Sequence, residues 1–336
     1  MTLLAYINPY YKQDFLGFFL TLIQRFISFC SGNVEIEGLV ADELQMLVLV
    51  GVAISSSIVG TFLVLRRMTM LANSLSHTIL LGIVLAYILT HNSADGHDHQ
   101  GIDIQAMMIA AVVTGILTTF LTEFLTTVVR LQEDASTGLV FSTMFALGII
   151  LISMYTRNAH IGAEVVMGNV DALHIDDLKL VYTVVLLNIF VFTAFFKEFK
   201  ITSFDTQLAK SLGISTVFFN YLLMVNVSAT SIGAFRAVGV LMVLTFIVGP
   251  PLIARLLTDR LGKMLFISSV VGIVSSVTGV ALSRHLLSIY YIPLSTAGLV
   301  VCVIAVFYIL ALVVSPSNGL IAGLLNRFAI KKDLLK

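Results

Sequence analysis

The chain has 336 residues, 58% of them hydrophobic and only 11% charged, and its 19 basic and 19 acidic residues give a formal net charge of zero. Soluble domains carry about 25% charge, so most of this surface faces something other than water, and the balanced charge argues against a nucleic-acid partner. Cys30 and Cys302 are too few for a disulfide framework and, lying in apolar runs, read as small packed hydrophobes.

The first residues lack the basic segment, apolar run and small-residue cleavage site of a removed signal peptide, so they read as retained. Residues 15–30 form a weak apolar stretch with Arg25 in its middle, which suits either a span or a helix lying at the membrane interface. Spans need about 20 mostly apolar residues, and clear ones fall at 44–65, 71–90, 105–129, 138–155, 178–196, 216–234, 237–257, 264–283 and 295–314. The two segments across 216–257 are almost continuous, interrupted only by Gly233 and Arg236, and allow one full span followed by a short or re-entrant helix. The predicted organisation is an N-terminal segment over 1–43, a membrane domain over 44–315 and a basic tail over 316–336. The fold class is an all-α polytopic membrane bundle of about 8–10 helices, with glycines inside the spans permitting close helix approach.

Placing the Arg66–Arg67 turn in the cytoplasm and alternating from there puts thirteen of the nineteen basic residues inside, including Arg130, Lys197, Arg255 and the C-terminal tail. The C-terminus is then cytoplasmic. The outer loops are acidic or carry histidine.

Polar groups inside spans are costly unless paired or facing a pathway. The densest group is Asn73, Ser74, Ser76, His77 and Thr78. Asn73 and His77 are four residues apart, hence on one helix face, and offer an amide oxygen and an imidazole to a cation, or else hydrogen-bond neighbouring helices. Imidazole suits zinc, iron and, less strongly, manganese. Glu123 has threonines nearby to solvate it, and either lines a pathway or sits buried near the cytoplasmic end. His91, Asp95, His97, Asp98 and His99 have metal-ligand chemistry at short spacing, in a loop that also reads as simply solvated. Glu164 and Asp171, with His174, Asp176 and Asp177, follow the next outer turn and could form a docking surface. No GxxxxGK[ST] phosphate loop, HExxH or GxSxG is present. Energy for active transport must come from an ion gradient or a separate ATPase.

Five ordered blocks, GTFLVLRRMTMLANSLSHTILLGIVLAYIL (60–89), EDASTGLVFSTMFALGIILIS (133–153), EVVMGNVDAL (164–173), ITSFDTQLAKSLGIS (201–215) and FRAVGVLMVLTFIVGPPLIARLLTDRLGKML (235–265), together resemble the permease subunits of bacterial zinc, manganese and iron ABC importers. The resemblance spans about 45–315. It implies a fold similar to the cobalamin and siderophore importers, in the bacterial cytoplasmic membrane. It further implies a non-enzymatic chain with no resident cofactor, a transported manganese, zinc or iron ion, two cytoplasmic ATPase subunits, an extracytoplasmic metal-binding protein and a second permease. Pro251, Arg255, Asp259, Arg260 and Gly262 match the region that couples to the ATPase, within 250–263, and Asp205, Ala209 and Gly213 match a cytoplasmic block that braces it. The family places an Asp four residues before the pathway His. Here His77 keeps its position, but Asn73 replaces the Asp, which favours a non-identical partner permease supplying the carboxylate. The reading from residues alone keeps a second possibility open, a gradient-driven secondary transporter with His77 and Glu123 as relays.

Overall fold

A computed structural model describes residues 9–10, 14–30, 40–91, 104–155, 170 and 173–315. These contain twelve helices and no strand: α1 (Phe15–Cys30), α2 (Ala41–Leu65), α3 (Thr69–His91), α4 (Ile104–Thr127), α5 (Glu133–Tyr155), α6 (Ile175–Ala194), α7 (Phe196–Phe204), α8 (Thr206–Ser211), α9 (Thr216–Val238), α10 (Val240–Leu257), α11 (Leu261–Tyr290) and α12 (Thr296–Val314). Seven of the described helices are long and apolar enough to cross a membrane by themselves. The protein is a multi-pass membrane protein. Its spans alternate between a basic end, carrying Arg66, Arg67, Arg130, Arg255 and Arg260, and a far end carrying Asp42, Glu43, Asp177 and Arg284.

The centre of the bundle is α2, buried along most of its length. Apolar residues all round it make this possible, since a helix without a polar face must be enclosed by protein or lipid. Glycines set the distances to its neighbours. A Cβ at Gly60 would collide with the Ile247 backbone carbonyl of α10, and one at Gly272 of α11 would meet Ala53 Cβ at 3.0 Å. Backbones approach this closely only where side chains are absent. Polar groups in the core pair across helices: Asn188 Nδ2 of α6 donates to Ser55 Oγ of α2 at 2.5 Å and to Thr230 Oγ1 of α9 at 2.7 Å. Such bonds satisfy groups that hydrocarbon cannot.

The near-continuous apolar stretch at 216–257 is two full helices. The break falls at Gly239, whose φ of +79° favours glycine, while Gly233 lies within α9 against Leu180 and Val184 of α6. A re-entrant helix is not formed. Pro250 and Pro251 lie inside α10 without ending it. At its far end α11 continues well beyond the apolar stretch read from hydropathy, because Ser283, Arg284 and His285 face other helices there instead of lipid. Cys302 is exposed on α12 instead of packed.

Candidate functional site

α3 leaves the basic end at Thr69, so Asn73 and His77 occupy its first third. Ser74 and Thr78, one position further round, are buried at 3% and 0% exposure and turn inward. Asn73 and His77, a 100° step back from them round the helix, are half-buried. His77 packs against α5: its ring centroid lies 5.3 Å from Phe141 and 5.5 Å from Phe145. α3 is held in place by small residues, with Gly82 facing Thr114 Oγ1 of α4 and Gly148 of α5 facing the Leu81 backbone. Among the described residues no group of three His, Cys, Asp or Glu side chains converges on a metal position.

Glu123 is half-buried near the basic end of α4, with its carboxylate near the Tyr221 hydroxyl of α9. The neighbouring threonines do not solvate it. Thr119, Thr122, Thr126 and Thr127 each bond the carbonyl four residues earlier on their own helix. His91 is the last residue of α3. Asp95, His97, Asp98, His99, Glu164 and Asp171 lie outside the described residues. Asp177 accepts from the His174 backbone N–H at 2.9 Å, an N-terminal cap for α6, and Asp176 pairs with Lys179 at 3.3 Å in water.

The segment matched to the coupling region is not a separate element. Pro251 is buried in α10, Arg255 ends that helix and donates to the Val64 carbonyl at 3.3 Å, and Gly262 belongs to the first turn of α11. Only Thr258–Arg260 is non-helical, with Asp259 and Arg260 exposed. The bracing block lies at the same basic end. Asp205 caps α8 by accepting from the Gln207 and Leu208 amides at 2.9 Å, Ala209 is fully buried, and Gly213 turns the chain with φ +76° into α9. Phe204, Leu208 and Leu212 of this block are 58%, 48% and 58% exposed.

One residue of this region escaped sequence reasoning except as a charge. Arg66 donates to Thr202 Oγ1 at 2.7 Å, to Ser203 Oγ at 3.1 Å and to Asn220 Oδ1, and lies over the Phe199 ring. It ties the end of α2 to α7 and α9. Burial draws its guanidinium down to about 10, well above neutral pH, so it remains a cation held by neutral acceptors. Beneath it Phe62, Phe192 and Phe199 stack at 4.8–5.4 Å. The doubled arginine after an apolar run was the available signal, but nothing in the sequence pairs Arg66 with residues more than 130 positions away.

An all-helical bundle of several apolar spans defines a polytopic membrane protein. Residues 43–315 match the ABC 3 transport family, and the chain belongs to that family. A probable metal transport system membrane protein of Chlamydia muridarum is 43% identical over 91% of this chain and 94% of its own length. The manganese transport system membrane protein MntD of Bacillus subtilis is 37% identical over 85% of this chain and 95% of its own. The zinc transport system membrane protein TroD of Treponema pallidum is 34% identical over 86% and 78%. Among solved structures, PsaBC from Streptococcus pneumoniae in complex with Fab superposes with a TM-score of 0.69 at 27% identity, covering 82% of this chain and 91% of that one.

Proposed function

We propose that this chain is the membrane-spanning subunit of an ATP-driven importer of a divalent transition metal, manganese or zinc, with the basic end and the C-terminus in the cytoplasm. Family membership and the transport systems named for the relatives support the metal. The chain's own chemistry fits it too: imidazole and amide oxygen serve both ions, and iron as well. The observation that carries the site is the half-buried Asn73–His77 face of α3, which offers two ligands beside the Phe141–Phe145 pair of α5. A transit site needs few ligands, so that it accepts an ion and releases it. We assign the rest of the coordination to a second, non-identical permease with an Asp in place of Asn73.

In this reading an extracytoplasmic metal-binding protein delivers the ion at the far end, and two ATPase subunits work at the basic end. The ATPase contact falls on α7–α8, whose exposed Phe204, Leu208 and Leu212 supply an apolar anchor among charged neighbours, with Asp259 and Arg260 beside it as a secondary contact. Closure of the ATPases moves α7–α8 and, through Arg66, the end of α2. The pathway between the two permeases then alternates between outward and inward access.

Uptake of radioactive manganese and zinc into proteoliposomes holding the complete assembly tests this. ATP-dependent uptake that falls at least tenfold in His77→Ala is expected. Uptake that ignores ATP and follows a proton or sodium gradient would establish a secondary transporter instead.

A further inference from the structure

α1 precedes the family match, which begins at residue 43, and its place relative to the bundle follows from two contacts. Asp42 in the first turn of α2 forms an ion pair with Arg284 near the end of α11, which fixes residues 42–43 and 284–285 at one level of the far end. Arg25 of α1 pairs with Glu43, while Phe15 of α1 meets the His285 ring at 6.2 Å. Residues 15 and 25 are about 15 Å apart along a helix. If α1 crossed the membrane beside α11, Phe15 would lie about ten residues deeper, level with the middle of α11. It lies instead beside Arg284, so the axis of α1 runs along the membrane plane. Its 16 residues give a length of about 24 Å, short of the roughly 30 Å of hydrocarbon.

The two faces of α1 differ in the way this position requires. One face is clasped: Tyr10, just before the helix, is 2% exposed, packs its ring on Phe18 at 4.9 Å and donates to Glu43 Oε1 at 3.0 Å, next to the Arg25 pair. The other is an apolar stripe of Leu16, Leu20, Ile23 and Ile27, exposed at 75%, 64%, 55% and 62% and spaced by four, three and four residues. The hydroxyls of Thr21 and Ser28 are bonded to carbonyls of their own helix, which lowers the polarity beside the stripe. At the same end α11 and the residues after it expose Leu287, Tyr290, Tyr291 and Ile292, a mixed aliphatic and tyrosine surface of the kind that sits at the headgroup boundary.

We propose that α1 is an interfacial helix of the outer leaflet, its Leu16–Leu20–Ile23–Ile27 stripe seated in lipid acyl chains and its inner face fastened to the outer mouth of the bundle by Tyr10 and Arg25 on Glu43. The occupant is lipid because the stripe continues the apolar, tyrosine-edged surface of the adjacent span at the same level. Pro9 and Tyr10 are then extracytoplasmic, on the side opposite the basic end. The in-plane geometry stands by itself; the choice of leaflet rests on the orientation proposed above.

The test uses the full-length chain in its assembly, in lipid, with Cys30→Ser and Cys302→Ala as background and single cysteines at 16, 20, 23, 24 and 27. Spin labels at 16, 20, 23 and 27 should be reached by oxygen and not by a water-soluble nickel chelate, all at one shallow depth. A steady deepening by about 16 Å from 27 to 16 overturns the proposal in favour of a span. Chelate access along the stripe, or immobilisation there when a binding protein is added, overturns it in favour of a protein-docking face. A cysteine at Gln24 should react with an impermeant maleimide in intact cells. Reaction only from the cytoplasmic side of inverted vesicles overturns the leaflet assignment and the orientation beneath it, a failure that the depth series reads separately.

Discussion

His77 stands between α3 and the Phe141–Phe145 pair of α5, with its neighbours Ser74 and Thr78 turned inward. The aromatic wall restricts water on one side of the imidazole, which is half-buried as Asn73 is. An amide oxygen carries no charge to offset a dication, so Asn73→Asp should strengthen the site. We expect half-maximal metal stimulation of ATP hydrolysis at about tenfold lower metal, equivalent to roughly 1.4 kcal/mol, measured in the reconstituted assembly. Arg66 works by a different physics. Its three acceptors, the buried Thr202 and the half-buried Ser203 and Asn220, lose their shared donor in Arg66→Ala, and a buried acceptor without a partner costs about 1–3 kcal/mol. That variant should lower the unfolding temperature in detergent, and Arg66→Lys should recover only part of it, because a point-like ammonium does not reproduce the guanidinium fork.

Helix packing makes equally sharp expectations. Gly60 has no room for a Cβ against the Ile247 carbonyl, whereas Gly262 has nothing within 4 Å. Gly60→Ala should force α2 and α10 apart and cost about 1–3 kcal/mol, while Gly262→Ala in the first turn of α11 should stay within about 0.5 kcal/mol of the parent. Thermal unfolding of the two variants side by side measures the difference. Most spans were legible to within a few residues, since a long apolar run has few alternatives in hydrocarbon. The errors have physical causes. Gly233 drew attention as a breaker, but it serves close packing on α6, and the chain turns at Gly239, where only φ reveals the difference. Pro250 and Pro251 lie inside α10 without ending it, since membrane helices tolerate proline when neighbours satisfy the freed groups. At the basic end, the low hydropathy around α7–α8 gave no sign that Phe204, Leu208 and Leu212 are exposed.

For the molecule as a whole, the candidate ligands were legible as polar residues at helical spacing in an apolar run, but their exposure was not. How far Asn73 and His77 are enclosed depends on the packing of α4 on α3 at Gly82 and of α5 on the His77 side, through Phe141, Phe145 and Gly148. Cross-helix partners such as Arg25–Glu43 and Asp42–Arg284 were likewise invisible, because the residues are joined only by the fold. Removing Arg25 leaves Glu43 with Tyr10 as its remaining side-chain partner, so Arg25→Ala should loosen α1 and raise its susceptibility to protease from the far side, while transport by the remaining bundle continues.

A pathway shared between two unlike permeases is tested most directly by ATP hydrolysis in liposomes containing this chain, the ATPase and the metal-binding protein, with and without the second permease. Stimulation by manganese or zinc that requires the second permease and disappears in His77→Ala is the predicted result. Full metal-dependent activity with this chain as the sole permease would contradict the unlike pair, and stimulation untouched by His77→Ala would contradict the placement of the pathway on α3.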